Sequence, residues 1–114
     1  MKFDHFEDMM VWQKSQELTL LIYKTFQSIK DFGFRDQIQR AAVSISNNIA
    51  EGFERKSNNE FKYFLFVAKG SAGELRNMLY LAKNLGYISE EQFKIQYDLS
   101  LSISKMLSSL IKTL

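Results

Sequence analysis

The residues with most chemical content lie in one stretch, RAAVSISNNIAEGFER, from Arg40 to Arg55. Within it Asn48 and Glu51 stand one helical turn apart, the spacing of a catalytic or recognition pair, and Glu74 supplies another carboxylate beside the small-residue run AKGSAGE. A general base, however, needs a displaced pKa and an oriented partner. The chain has no cysteine and a single histidine, His5, in the acidic opening MKFDHFEDMM. Thiol nucleophiles are therefore excluded, and imidazole acid/base chemistry and histidine metal sites have almost no material. AKGSAGE lacks the spacing of a phosphate loop, and no glutamate and histidine share a helical turn in the core as a di-metal bundle would require. Neither catalytic residues nor a cofactor or metal are expected, and the chain reads as a non-enzyme.

The same stretch makes sense as a helix with two faces. At about 100° per residue, Arg40, Ser44, Asn47, Glu51 and Arg55 form a stripe nearly opposite Ile38, Ala42, Ile45 and Ile49. Asp36 with Arg40, and Glu51 with Arg55, have the i,i+4 spacing of exposed ion pairs. Proline is absent and glycine occurs only at 33, 52, 70, 73 and 86, which leaves few places to interrupt helices. A first amphipathic run carries Val11, Ser15, Leu18, Ile22, Phe26 and Ile29, ending near KDFGF; a second extends from about Phe34 to Arg55 with Ala41 in its core set. SNNE, Ser57 to Glu60, has the form of a capping box and opens a third helix. Its core positions are Phe61, Phe64, Leu65, Ala68, Ala72, Leu75, Leu79 and Ala82, and Gly86 closes it.

SEEQ, Ser89 to Gln92, caps a fourth segment in which Phe93, Ile95, Tyr97, Leu99, Leu101 and Ile103 alternate like a strand. The cap, the lack of a following turn, the helical spacing of Ile103, Leu107, Leu110 and Leu114, and the absence of any partner strand favour a helix. The expectation is an all-α, up-down antiparallel four-helix bundle, one domain over residues 1–114. The apolar runs are far short of the roughly 20 residues a membrane span needs, and the amino terminus lacks a basic-then-apolar signal. With the missing cysteines, this points to a soluble protein of a reducing cytoplasm.

The third helix is apolar on two sides. Opposite its core lie Tyr63, Phe66, Val67, Gly70, Asn77 and Leu81, and the second helix adds Val43, Ala50 and Phe53 as a flank. Exposed aromatic patches usually mark contact surfaces, and Gly70 and Gly73 would let another helix approach closely, so these residues are the expected interface of a homo-oligomer. Along another edge Lys62, Lys69, Arg76 and Lys83 recur every seven residues over about 30 Å. The net charge is only +2, so any attraction for RNA or DNA is local to this ridge, weak and independent of sequence. The alternative is a protein-only adaptor, a module for a partner protein, whose lysines keep the helix solvated.

Taken in order, FEDMMVWQKSQEL, QIQRAAVSISNNIAEGFER, FLFVAKGSAGEL and LAKNLGYIS resemble the bacterial four-helix-bundle family encoded in intervening sequences of large-subunit ribosomal RNA genes. The most specific part is the Asn-Ile-Ala-Glu-Gly run from Asn48 to Gly52. The resemblance implies a ring-shaped homopentamer without enzyme activity. A related branch, the accessory proteins of diversity-generating retroelements, binds a reverse transcriptase and nucleic acid. Carried onto this chain, the signature falls on Gln37, Arg40, Ser44, Asn48, Glu51, Gly52 and Arg55, then Gly70, Ser71 and Glu74. Gln39 stands where members often carry a second arginine, Ser46 where proline is common, and the charge of +2 is below that of the retroelement branch.

Overall fold

Each helix from the second onward begins where a side chain satisfies a backbone amide that has no partner within the helix. In the computed structural model, which describes residues 3–114, the order is a short 3-10 turn at Phe6–Asp8, then α1 Met10–Phe26, α2 Phe32–Phe53, α3 Asn58–Asn84 and α4 Glu90–Lys112. Met1 and Lys2 of the expected domain lie outside the described residues, which contain no strand. Asp31 accepts from the Phe34 amide at 3.2 Å and starts α2 two residues before the expected position. Ser89 and Gln92 form a complete capping box on α4, with reciprocal bonds of 2.9 and 3.1 Å. At α3 only half of the expected box forms. Ser57 accepts from the Glu60 amide at 3.2 Å, while the Glu60 carboxylate takes the Ser57 hydroxyl instead of the Ser57 amide. α3 ends in a Schellman motif: Gly86 has φ 77°, the Tyr87 amide reaches the Ala82 carbonyl at 2.8 Å, and the Gly86 amide reaches Lys83 at 3.0 Å. α1 stops at Phe26, so Ile29 packs on the core from a turn rather than from the helix.

Cross-helix contacts define the topology. Gln16 with Ser46 and Thr19 with the Ala42 carbonyl run α1 against α2; Ser44 with Ser71 and Gln37 with Glu74 run α2 against α3. Lys83 with Glu90 and Arg76 with Ser104 run α3 against α4, and Gln96 with Thr25 returns α4 to α1, whose Val11 lies beside Met106. In every case one number rises as the other falls, so neighbours are antiparallel and the fold is an up-down four-helix bundle. Leu18, Ile22, Phe26, Ile38, Ile45, Ile49, Leu65, Leu75, Leu79, Ile103 and Leu107 are fully buried along its axis. Of the residues expected in the α3 core only Phe64 is half-buried, and Met78 is buried in addition.

The core face of α4 explains the strand-like alternation. Gln96, Ser100 and Ser104 occupy buried positions where a helical pattern would lead one to expect aliphatics, whereas Ile95 is exposed. Ser100 Oγ donates to the Ala72 carbonyl at 3.1 Å, and Gln96 Nε2 donates to Thr25 Oγ1 at 2.8 Å, leaving Gln96 Oε1 without a protein partner. The small Ser100 and Ser104 therefore let α4 lie close to α3 with their hydroxyls bonded to it. At the opposite end of α3 from Ser57, the Tyr87 phenol donates to Asp31 Oδ2 at 2.7 Å, tying the α3–α4 turn to the α2 cap. That bond foremost, with some burial and the Asp31 charge, raises the Tyr87 pKa above its ordinary value.

Gly52 is the tightest point of the α2–α3 crossing. A Cβ there would lie 2.6 Å from Phe64 Cβ and 3.3 Å from the Phe61 carbonyl oxygen, whereas one at Gly33 would meet nothing within 4 Å. Gly52→Ala should lower stability by ~1–3 kcal/mol through overpacking, seen as a lower urea midpoint at unchanged slope, while Gly33→Ala should be neutral or slightly stabilising.

Candidate functional site

The polar stripe of α2 is divided by its neighbour. Arg40, Asn47, Glu51 and Arg55 are exposed, but Ser44 and Asn48 are half-buried and turn toward α3. Ser44 and Ser71 share a hydrogen bond of 2.8 Å, and Asn48 Nδ2 donates to the Ser44 carbonyl at 2.7 Å and to its hydroxyl at 3.0 Å. Two turns of α2 beyond Ser44, on the side away from Gly52, Gln37 Nε2 donates to Glu74 at 3.4 Å. Arg55 pairs with Glu51 at 2.9 Å, as its spacing predicts, and lies 4.9 Å from the centre of the Phe64 ring. The expected Asp36–Arg40 pair does not form. Asp36 pairs with the adjacent Arg35 at 3.2 Å, and among the described residues Arg40 has no carboxylate partner.

Several of the signature positions are thus brought together as one seam. Ser44, Asn48, Gly52, Ser71 and Glu74 join α2 to α3, and Arg40 opens onto a groove of about 510 Å³ with Asp36, Gln37, Ser44 and Glu74. Gly70 points away from the seam into open space. Ser46, where proline is common in the family resembled, is buried and accepts from Gln16 Nε2 at 3.1 Å. His5 is exposed and caps nothing with its side chain, and among the described residues no group of three His, Cys, Asp or Glu could hold a metal. Glu74 accepts from Gln37, and it shares the lining of the Arg40 groove with Asp36.

The basic ridge of α3 is not the open edge that its spacing suggests. Arg76 is half-buried and its Nη1 donates to Ser104 Oγ at 2.6 Å and to the Ser100 carbonyl and hydroxyl at 3.3 Å. Lys83, 24% exposed, pairs with Glu90 at 3.8 Å and lies 4.3 Å from the centre of the Phe93 ring. Lys62 and Lys69 are half-buried. Lys69, Arg76 and Lys83 therefore face α4, because the heptad edge of α3 is the edge along which the two helices pack. Residues not singled out from sequence complete this side: Lys105 and Lys112 of α4 line a groove of about 420 Å³ with Lys69 and Arg76. Their own seven-residue spacing, in a run without acidic residues, is the signal that would have found them.

The expected oligomer face is partly corrected as well. Tyr63, Phe66 and Leu81 are 64%, 53% and 47% exposed on the outer side of α3, beside half-buried Val67 and exposed Gly70 and Asn77. Phe53 belongs elsewhere: it meets Phe6 and Phe61 edge-on, with ring centres at 6.4 and 5.9 Å, and closes one end of its own bundle. Val43 lines a groove with Tyr23 of α1, and Ala50, two turns on, shares its flank; both lie across α2 from Ser44 and hence away from α3. Tyr80 packs against Phe93 and Tyr97 at 5.0 and 5.3 Å.

The sequence profile of the 23S rRNA-intervening sequence protein family matches residues 7–109, which takes in all of the seam. The chain belongs to this family. It is also similar to a crystal structure described as a protein with unknown function from the S23 ribosomal protein family of Bacteroides thetaiotaomicron, with 34% identity over 90% of this chain and 98% of that chain and a TM-score of 0.84. No curated protein matches. No helix among the described residues is long and apolar enough to cross a membrane.

The Ser44–Ser71 bond should behave as a single interaction. In a double-mutant cycle of Ser44→Ala and Ser71→Ala, the coupling measured by denaturant unfolding should be ~0.5–1.5 kcal/mol, with the second alanine costing less than the first.

Proposed function

We propose that this member of the 23S rRNA-intervening sequence protein family is a non-catalytic scaffold that assembles with copies of itself and contacts nucleic acid weakly through cations of α3. The observation that carries the reading is the outer face of α3, where Tyr63, Phe66 and Leu81 stand exposed in a row beside Gly70, at which a Cβ would meet nothing within its own chain. A small bundle has no internal use for such a face, and large exposed apolar patches mark contact surfaces.

A second apolar flank, with Leu20 70% and Tyr23 44% exposed near half-buried Val43, lies on the α1–α2 side. Two different patches on different sides suit a head-to-tail contact, which closes into a ring when the rotation per subunit divides a full turn. The family resemblance implies five subunits. In such a ring each copy repeats the same cations, so individually weak phosphate contacts add through effective concentration. The cytoplasm is the compartment that fits the reading.

Gly70→Leu and Phe66→Asp should reduce the particle to monomers in multi-angle light scattering without lowering helix content, because both positions are exposed in the single chain. A monomer for the unmutated protein at micromolar concentration would overturn the assembly.

A further inference from the structure

We infer that the nucleic-acid contact surface is the groove between α3 and α4, formed jointly by Lys69, Arg76, Lys105 and Lys112, and that its ligand is a phosphodiester backbone. This rests on the nucleic-acid part of the proposed function and relocates it from one helix edge to a cleft between two helices.

The four cations come in two rows. Lys69 and Arg76, like Lys105 and Lys112, are two helical turns apart, about 10 Å along the axis. Because α3 and α4 are antiparallel neighbours, the rows face each other across a cleft of about 420 Å³. No carboxylate lines it, and among the described residues none of the four cations is in an ion pair. The charge is segregated over a longer range too: α3 has no Asp or Glu between Glu60 and Glu74, and the chain has none after Asp98. A modest net charge of +2 therefore hides a locally uncompensated positive groove.

Arg76 is positioned in advance. Its Nη1 is held by Ser100 and Ser104, which fixes the guanidinium plane, while Nη2 and Nε make no hydrogen bond to the rest of the described protein. A guanidinium pinned through one nitrogen still presents donors in the fork geometry that matches a phosphate. Ser108 and Ser109 add hydroxyls to the lining. Two parallel rows of cations suit a linear polymer with evenly repeated charge, whereas a compact anion would need them converging on one point. No aromatic ring and no amide side chain lines the cleft, so it offers neither base stacking nor base-edge reading, and binding is independent of sequence.

The test is fluorescence anisotropy on the full-length protein with a labelled mixed-sequence single strand, as RNA and as DNA, titrated with salt from low to physiological concentration. Two variants carry the same change in net charge: Lys105→Glu with Lys112→Glu inside the groove, and Lys62→Glu with Lys83→Glu on the α3 edge outside it. Lys105 and Lys112 are exposed, so the first variant should fold as the parent does, and the corresponding glutamine pair repeats the test without charge reversal. The groove pair should weaken binding at least ~10-fold and reduce the salt slope by ~0.7 for each phosphate that is no longer neutralised, with the outer pair close to the parent. Parent-like binding by the groove pair overturns the inference; if the outer pair then binds more weakly than the parent, the α3 edge is the contact surface and the proposed function stands. No binding by the parent at low salt overturns both the inference and the nucleic-acid part of the function, and leaves the assembly to be judged by light scattering.

Discussion

The close antiparallel approach of α2 and α3 is the constraint on which the bundle depends. At one end it requires a residue without a Cβ, since Gly52 lies under Phe61 and Phe64. In the middle it requires small side chains that can bond to each other, supplied by Ser44 and Ser71, and at the far end it tolerates the longer pair Gln37 and Glu74. Phe53 and Phe61, meeting edge-on beside Gly52, and Phe6 against Phe53 then close that end of the core.

α4 joins α3 by a different device. Ser100 and Ser104 are buried where a bundle normally carries aliphatics, and the half-buried Arg76 bonds to both. Burying a guanidinium edge is costly unless its donors are satisfied, so the serines and the Ser100 carbonyl are the condition for its position. This polar joint draws one cation of the α3 edge into the α3–α4 boundary and, with Lys69, brings it opposite Lys105 and Lys112. The same packing that stabilises the bundle concentrates positive charge between two helices, while Glu90, Glu91 and Asp98 stay in the first half of α4.

Much of this architecture is legible in the chain itself, and its errors have physical causes. The capping signals at Ser57 and Ser89 and the left-handed Gly86 act within a few residues, so they mark the helix boundaries directly. α1 ends early because the turn that leads to the Asp31 cap claims Ile29, an event decided on the next helix. Phe53 has the composition of an interface, yet the wheel position of a side chain does not say which neighbour occupies its side. Phe53 is covered by Phe6 and Phe61.

The sequence by itself determined the number of helices, most of their starts, the all-α class and the family, because caps, periodicity and the seam signature depend on residues near one another in the chain. Only the tertiary structure decided which polar residues are structural and which are open. Ser44, Asn48 and Arg76 look as solvated as Arg40 or Lys105 when read along one helix. The difference arises from the neighbouring helix, whose surface engages Ser44 and Arg76 directly and Asn48 through Ser44, and leaves Arg40 and Lys105 without ion-pair partners among the described residues.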